Sequence, residues 1–265
     1  MNYHIKKPIK LLQPWIECYW QVQLNTGDFA KKETILPNGK IEMIFALEGN
    51  YQVGNRKTYR MKQAWLSGIQ REPLHIAYKG VSNLIGVRFY PNGLFPFLPI
   101  PISETINEVE PLSLLWGSFA DEVFESLCST DNIEEIFTKL DYYLLYKLSP
   151  RKEANHQLVK TIIREQQIQP SIMISELASK FGYSERQLNR IFKDQTGISP
   201  KIIAQIYRFE KSSMFLFKHA INEDSNDLLD LGYYDQSHFI KEFKRFSGMT
   251  PEEYKRKAIV SNNFL

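Results

Sequence analysis

The 265-residue chain has only two cysteines, Cys18 and Cys128, and five histidines, His4, His75, His156, His219 and His238. The cysteines form no CxxC or other metal-ligand spacing. They read as two ordinary buried thiols in a reducing compartment, with a redox pair as the alternative. Only His4 and His75 fall in the first hundred residues and no His-x-His occurs, so a metal-dependent enzyme lacks ligands. No nucleophile–base grouping and no glycine-rich phosphate loop is present, so neither catalysis nor a cofactor or metal is expected. No stretch approaches the ~20 apolar residues of a membrane span. The opening Met1–Pro8 has no apolar core of signal-peptide length, and a cytoplasmic protein without a membrane partner is expected.

A strong charge of either sign is also missing, the formal net charge being +3. Its distribution is uneven. Residues 1–150 hold 15 Lys and Arg against 16 Asp and Glu, whereas residues 151–265 hold 18 against 14. A basic excess confined to the second half suits phosphate contact there. With 43% hydrophobic and 24% charged residues, the chain is a globular one, long enough for two domains.

Up to about Pro101 the chain reads as short strands separated by turn residues. Asn38-Gly39 is a tight-turn signal. Beyond it Ile41, Met43, Phe45 and Leu47 alternate onto one face of a strand, with Ile44 and Ala46 on the other. Val81–Tyr90 is a further strand, after a turn at Tyr78–Gly80. Many short strands broken by Gly, Pro and Asn indicate a compact sheet or barrel. From Pro111 the texture is helical: Leu112, Leu115, Phe119, Val123 and Leu127 predict one amphipathic helix. Ile133, Ile136, Phe137, Leu140 and Leu144 predict a second, with Asp131 as its N-cap. Residues 149–154 read as a polar linker, and everything from about Asn155 to Lys257 is helical in pattern. The predicted fold class is α+β. A first domain spans 1–148 (β-rich over 1–105, helical over 111–148), and an all-α domain spans 155–260.

A helix-turn-helix pattern occurs twice in that second domain. The first copy runs from Ile174 through Gly182 to Lys193 and closes with Thr196-Gly-Ile-Ser-Pro200. The second runs from Leu228 through Gly232 to Arg245 and closes with Ser247-Gly-Met-Thr-Pro251. The turn glycines lie 50 residues apart and the closing prolines 51. On the first copy's second helix, Leu188, Ile191 and Phe192 form the buried side; Arg186, Asn189, Arg190 and Lys193 form the other. Arg suits guanine, Asn adenine and Lys phosphate. Ser184 stands at the N-cap and Gln187 joins the candidate contacts. In the second copy Phe239, Phe243 and Phe246 face inward. Gln236, Ser237, Lys241, Lys244 and Arg245 are the candidate contacts, with Asp235 the N-cap. His238 is either a contact or, with the larger share, a surface histidine or partial cap. A connecting helix from Pro200 to His219, apolar along Ile202, Ile203, Ile206, Phe209, Met214 and Phe217, would hold both reading helices one duplex turn apart.

The run Gly232-Tyr-Tyr-Asp-Gln-Ser-His-Phe-Ile-Lys-Glu-Phe-Lys-Arg-Phe-Ser-Gly-Met-Thr-Pro251 resembles the AraC/XylS family of bacterial transcription regulators, and the resemblance covers about residues 155–257. It implies two helix-turn-helix units on double-stranded DNA, with Arg186, Asn189 and Arg190 at bases in the first and Gln236, Ser237 and Lys241 in the second. By the same resemblance an RNA polymerase contact and a homodimer are expected. One departure concerns Leu228, where the family places a small residue, preceded by Asp227 where an apolar one is expected. Leu36–Phe45 and Gly86–Gly93 resemble, less closely, the cupin-like sensor domain of some members, which implies a small-molecule effector. Trp65, Arg88, Phe89 and Tyr90 are its candidate ligand residues, with core packing and an ion pair of Arg88 as the alternative. A family-related DNA-repair alkyl transferase needs a cysteine cluster this chain lacks. The expected function is a sequence-specific transcription activator controlled by its N-terminal domain. Two alternatives are a ligand-independent regulator that only dimerises or binds a protein partner, and a cupin-type enzyme with a DNA-binding tail.

Overall fold

A computed structural model of the chain describes residues 2–54, 58–149, 155–219 and 232–260. The first half folds as eight antiparallel strands: β1 (Asn2–Lys6), β2 (Ile16–Asn25), β3 (Lys31–Ile35), β4 (Ile41–Gly54), β5 (Thr58–Ser67), β6 (Leu74–Tyr78), β7 (Val81–Phe89) and β8 (Val109–Pro111). They pair in the order β1-β2-β7-β4-β5-β8, while β6 joins β4 to β3. The long strand β4 serves both parts of this sheet. Its first half pairs with β7 and its second half with β6.

Alternation sorts the side chains onto two faces. Tyr19, Ile41, Met43, Phe45, Ile85, Val87 and Phe89 enter the main core, whereas Trp20, Ile44, Ala46 and Trp65 line a second cluster on the opposite face. A register shift between Ala46 and Tyr51 changes the parity of β4, so Tyr51 and Val53 join Ile44 and Ala46 in that second cluster. The chain turns at Gly39 (φ +69°), where the Asn38 side chain accepts the Lys40 N–H. The strands flanking this turn are not hairpin partners, since β3 pairs with β6.

The helix expected from Leu112 to Leu127 is two: α1 (Leu112–Trp116) and α2 (Ser118–Cys128). Gly117, at φ +59° and ψ −143°, breaks them in a backbone region that favours glycine. The next helix, α3 (Ile133–Lys147), is capped by Asn132, whose side chain accepts the N–H groups of Glu134 and Glu135; Asp131 is not the cap. Cys18 is buried as expected, but Cys128 is exposed at the end of α2.

The second half contains α4 (His156–Ile168), α5 (Ile174–Phe181), α6 (Glu185–Thr196), α7 (Pro200–His219), α8 (Gln236–Ser247) and α9 (Pro251–Val260). The predicted linker lies, from Pro150 to Ala154, outside the described residues, as do Asp227 and Leu228. On α7, Ile203, Ile206 and Phe209 are fully buried, but Met214 and Phe217 are 53% and 38% exposed rather than part of the apolar side. No helix among the described residues is long and apolar enough to cross a membrane.

One core runs through both halves, from Phe45 and Val87 in the sheet to Ile203 and Phe243 in the helices. At the junction, Gly39 packs on α7, where a Cβ would lie 3.0 Å from Ile203 Cδ1. The Asn92 amide donates to Nδ1 of His156 at 3.0 Å, and His156 Nε2 lies 3.2 Å from the Pro14 carbonyl, donating to it. The imidazole also lies 3.6 Å from the Trp15 ring, centroid to centroid. Burial pushes its pKa down to about 4.

Candidate nucleic-acid interface

The first candidate unit is α5, a turn and α6. Gly182 ends α5 at φ +73°, and the Tyr183 N–H returns to the Ala178 carbonyl at 2.9 Å, closing the helix end. Ser184 then caps α6 as expected. Its Oγ accepts the Gln187 N–H, and the Gln187 side-chain carbonyl accepts the Ser184 N–H at 3.0 Å. Leu188 and Phe192 are fully buried and Ile191 is half-buried, which fixes the opposite side toward solvent. Arg186, Arg190 and Lys193 stand exposed along it with no described partner, at spacings that align them on one face. The half-buried Asn189 donates its amide to the Glu185 carbonyl at 2.9 Å. Gln187 and Asn189 are thus occupied by their own helix, and the cations are the free groups.

The second candidate reading helix is α8. Asp235 caps it, accepting the His238 N–H at 2.7 Å. Phe239, Phe243 and Phe246 are buried as predicted, and Gln236, Ser237, Lys241 and Lys244 are exposed. His238 turns back: its Nδ1 accepts the Tyr234 N–H at 3.3 Å, which makes it part of the cap. Arg245 donates to Gln205 on α7 at 3.0 Å and lies over the Phe246 ring, so its guanidinium is held by the domain itself.

The sequence reading passed over the group that fixes α8 to α7. Arg208 makes a two-pronged ion pair with Glu242, with Nε to Oε1 and Nη2 to Oε2 both at 2.8 Å, and its Nη1 donates to the Gly232 carbonyl at 2.9 Å. The two side chains are only 12% and 4% exposed. Tyr233 lies under the guanidinium, and its hydroxyl meets Ser212 at 3.0 Å. Burial pushes the Tyr233 pKa up to about 12, so the phenol keeps its proton. One signal was available, since Glu242 lies three residues after Phe239, on the inward stripe. A carboxylate there requires a buried cation.

Each of these helices ends on a glycine that faces the sheet domain. A Cβ on Gly197, after α6, would lie 3.0 Å from the Ile102 carbonyl, in a 3₁₀ turn formed by Ile102–Thr105. One on Gly248, after α8, would lie 3.6 Å from Pro73.

Of the four candidate ligand residues, Trp65 and Arg88 line one cavity of about 220 Å³ inside the sheet domain. Phe89 does not: it sits on the other face of β7, edge-on to Phe97. Tyr90 lies outside as well, beneath the ammonium groups of Lys40 and Lys160. Arg88 pairs with Glu42 at 2.8 Å. No group of three or more His, Cys, Asp or Glu suited to a metal ion is found among the described residues.

Two caps, two apolar stripes and two exposed polar rows define a helix-turn-helix class of domain. Residues 177–257 match the family model described as a helix-turn-helix domain. Residues 4–111 match a family model described as a domain of unknown function (DUF6597). The HTH-type transcriptional regulator MtrA of Neisseria gonorrhoeae is 30% identical over 85 residues, 32% of this chain and 28% of that protein. An uncharacterized HTH-type transcriptional regulator of Haemophilus influenzae is 31% identical over 93 residues, 35% of this chain and 31% of the other. The chain thus spans under a third of the length of the curated relatives it matches. Among solved structures, ToxT of Vibrio cholerae aligns over 90% of this chain and 98% of its own, at 10% identity and a TM-score of 0.47.

Proposed function

We propose that the chain is a sequence-specific transcription regulator that reads two successive major-groove segments with α6 and α8. The observation that carries this reading is the pair of exposed rows, Arg186, Arg190 and Lys193 on α6 and Gln236, Ser237, Lys241 and Lys244 on α8. Both rows stand on capped helices, and the 20-residue α7 lies between them in the chain. Arg186 and Lys241 are the base readers in this reading, and Lys193 and Lys244 the phosphate contacts. The cavity beside Trp65 and Arg88 supports the sheet domain as the controlling one. Activation through RNA polymerase is the mode the AraC/XylS resemblance suggests. The exposed Tyr142 and Tyr146 on α3 favour a second copy of the chain as a further partner.

Selection of genomic fragments by the full chain is expected to return a site with two blocks about one helical turn apart. Arg186→Ala and Lys241→Ala should each lose about 1–3 kcal/mol of discrimination at one block while the other block is still read. Unchanged affinity and specificity in both variants would remove α6 and α8 as reading helices.

A further inference from the structure

The cavity in the sheet domain has aromatic walls and a paired polar end. Tyr51 lies 5.7 Å from Trp65 and 6.0 Å from Tyr78, ring centre to ring centre, and Trp20 closes a further side. The Trp20 indole fits because residue 86 is glycine; a Cβ there would fall 1.9 Å from the ring. At about 220 Å³ the space is smaller than the ~300–1,000 Å³ of drug-sized sites, and suits a small ring system.

The charged groups lining this space are already balanced. Glu33 accepts the Tyr78 hydroxyl at 2.7 Å and pairs with Lys31 at 2.8 Å. Glu42 and Arg88 stand opposite each other on β4 and β7, joined from Nε to Oε1, and the Trp20 N–H reaches the same Oε1 at 3.2 Å. A net-charged ligand would therefore leave one charge uncompensated in a largely apolar space. The pair is only half used, however. Among the described residues, Oε2 of Glu42 and both terminal nitrogens of Arg88 have no hydrogen-bond partner. This places an acceptor beside donors at the cavity lining.

We propose that this cavity binds a flat, uncharged aromatic molecule whose edge carries an N–H beside a C=O, as a cyclic amide does. The N–H would meet Glu42 and the carbonyl Arg88, with the rings between Trp20, Trp65 and Tyr51. This names the effector class for the control proposed above and rests on that reading.

Calorimetric titration of the full-length protein with three bicyclic probes tests it: 2-quinolinone, neutral with the amide edge; 2-naphthoate, an anion; and 2-naphthylmethylammonium, a cation. The wild-type protein is expected to bind 2-quinolinone at least about tenfold more tightly than either ion, the difference one charge-assisted hydrogen bond supplies. Glu42→Gln frees the Arg88 charge and should gain 2-naphthoate binding by a similar factor while losing 2-quinolinone. Arg88→Gln should gain the ammonium probe. A gain of binding is not produced by loss of folding. Wild-type protein that binds no probe, or prefers an ion, overturns the assignment whatever the DNA does. Binding of 2-quinolinone with unchanged affinity for the selected DNA sites upholds the ligand class and overturns control by this cavity.

Discussion

His156 concentrates at one residue what joins the two halves. Its imidazole is buried against Trp15, with Nδ1 facing the Asn92 amide and Nε2 the Pro14 carbonyl. Protonation would place a second N–H against a donor, and burial, aided by the Lys160 charge and opposed by the Pro14 carbonyl, holds the folded pKa at about 4 against 6.5 in the unfolded chain. Between those values the unfolded chain takes up a proton that the folded chain refuses. Stability is therefore complete above pH 6.5 and falls on acidification toward pH 4, by up to about 1.4 kcal/mol per pH unit. Urea unfolding between pH 7 and 5 should show this slope, and His156→Gln should flatten it. The exposed rows of α6 and α8 were legible because helical periodicity alone sets which side faces solvent. The fates of Gln187, Asn189, His238 and Arg245 were not, because each turns on a hydrogen bond to a neighbour that spacing does not specify.

Among the elements, α7 meets α8 through Phe209 against Phe243 and Phe246 and through the Arg208–Glu242 pair. Both groups are almost wholly removed from water, so the pair's attraction is largely offset by its desolvation. Breaking it is another matter. Glu242→Ala leaves Arg208 buried and unpaired and should cost about 3–5 kcal/mol in denaturant unfolding. Arg208→Met with Glu242→Leu should recover most of that loss. The start of the long connector was readable, since Pro200 opens it, and so was its apolar side as far as Phe209, whereas Met214 and Phe217 face solvent. The break at Gly117 was not, because Leu115 and Phe119 keep helical spacing across it and only the backbone angles interrupt the run. The sheet's two faces were half readable: Ile41, Met43 and Phe45 alternate cleanly, but the shift near Ala46 inverts the parity afterwards. This concealed the cavity, whose Tyr51 and Val53 belong to the inverted segment.

In the whole molecule, the two helices proposed to read DNA both end against the sheet domain. Gly197 and Gly248, at corresponding ends of α6 and α8, face Ile102 and Pro73 of the sheet domain. Both supports adjoin the cavity. Leu74, which follows Pro73, lines it, as does Ser67, and the neighbouring Gly68 admits no Cβ against the Thr105 carbonyl of the turn that bears on Gly197. DNA measures the separation of two reading helices in whole base pairs, each worth about 3.4 Å of rise and about 35° of rotation. A ligand that moves these two supports unequally should thus change which spacer length between the half-sites is preferred, leaving each half-site's own sequence as it was. Competition among synthetic sites that differ only in spacer, with and without 2-quinolinone, would register that as a transfer of occupancy from one length to the next.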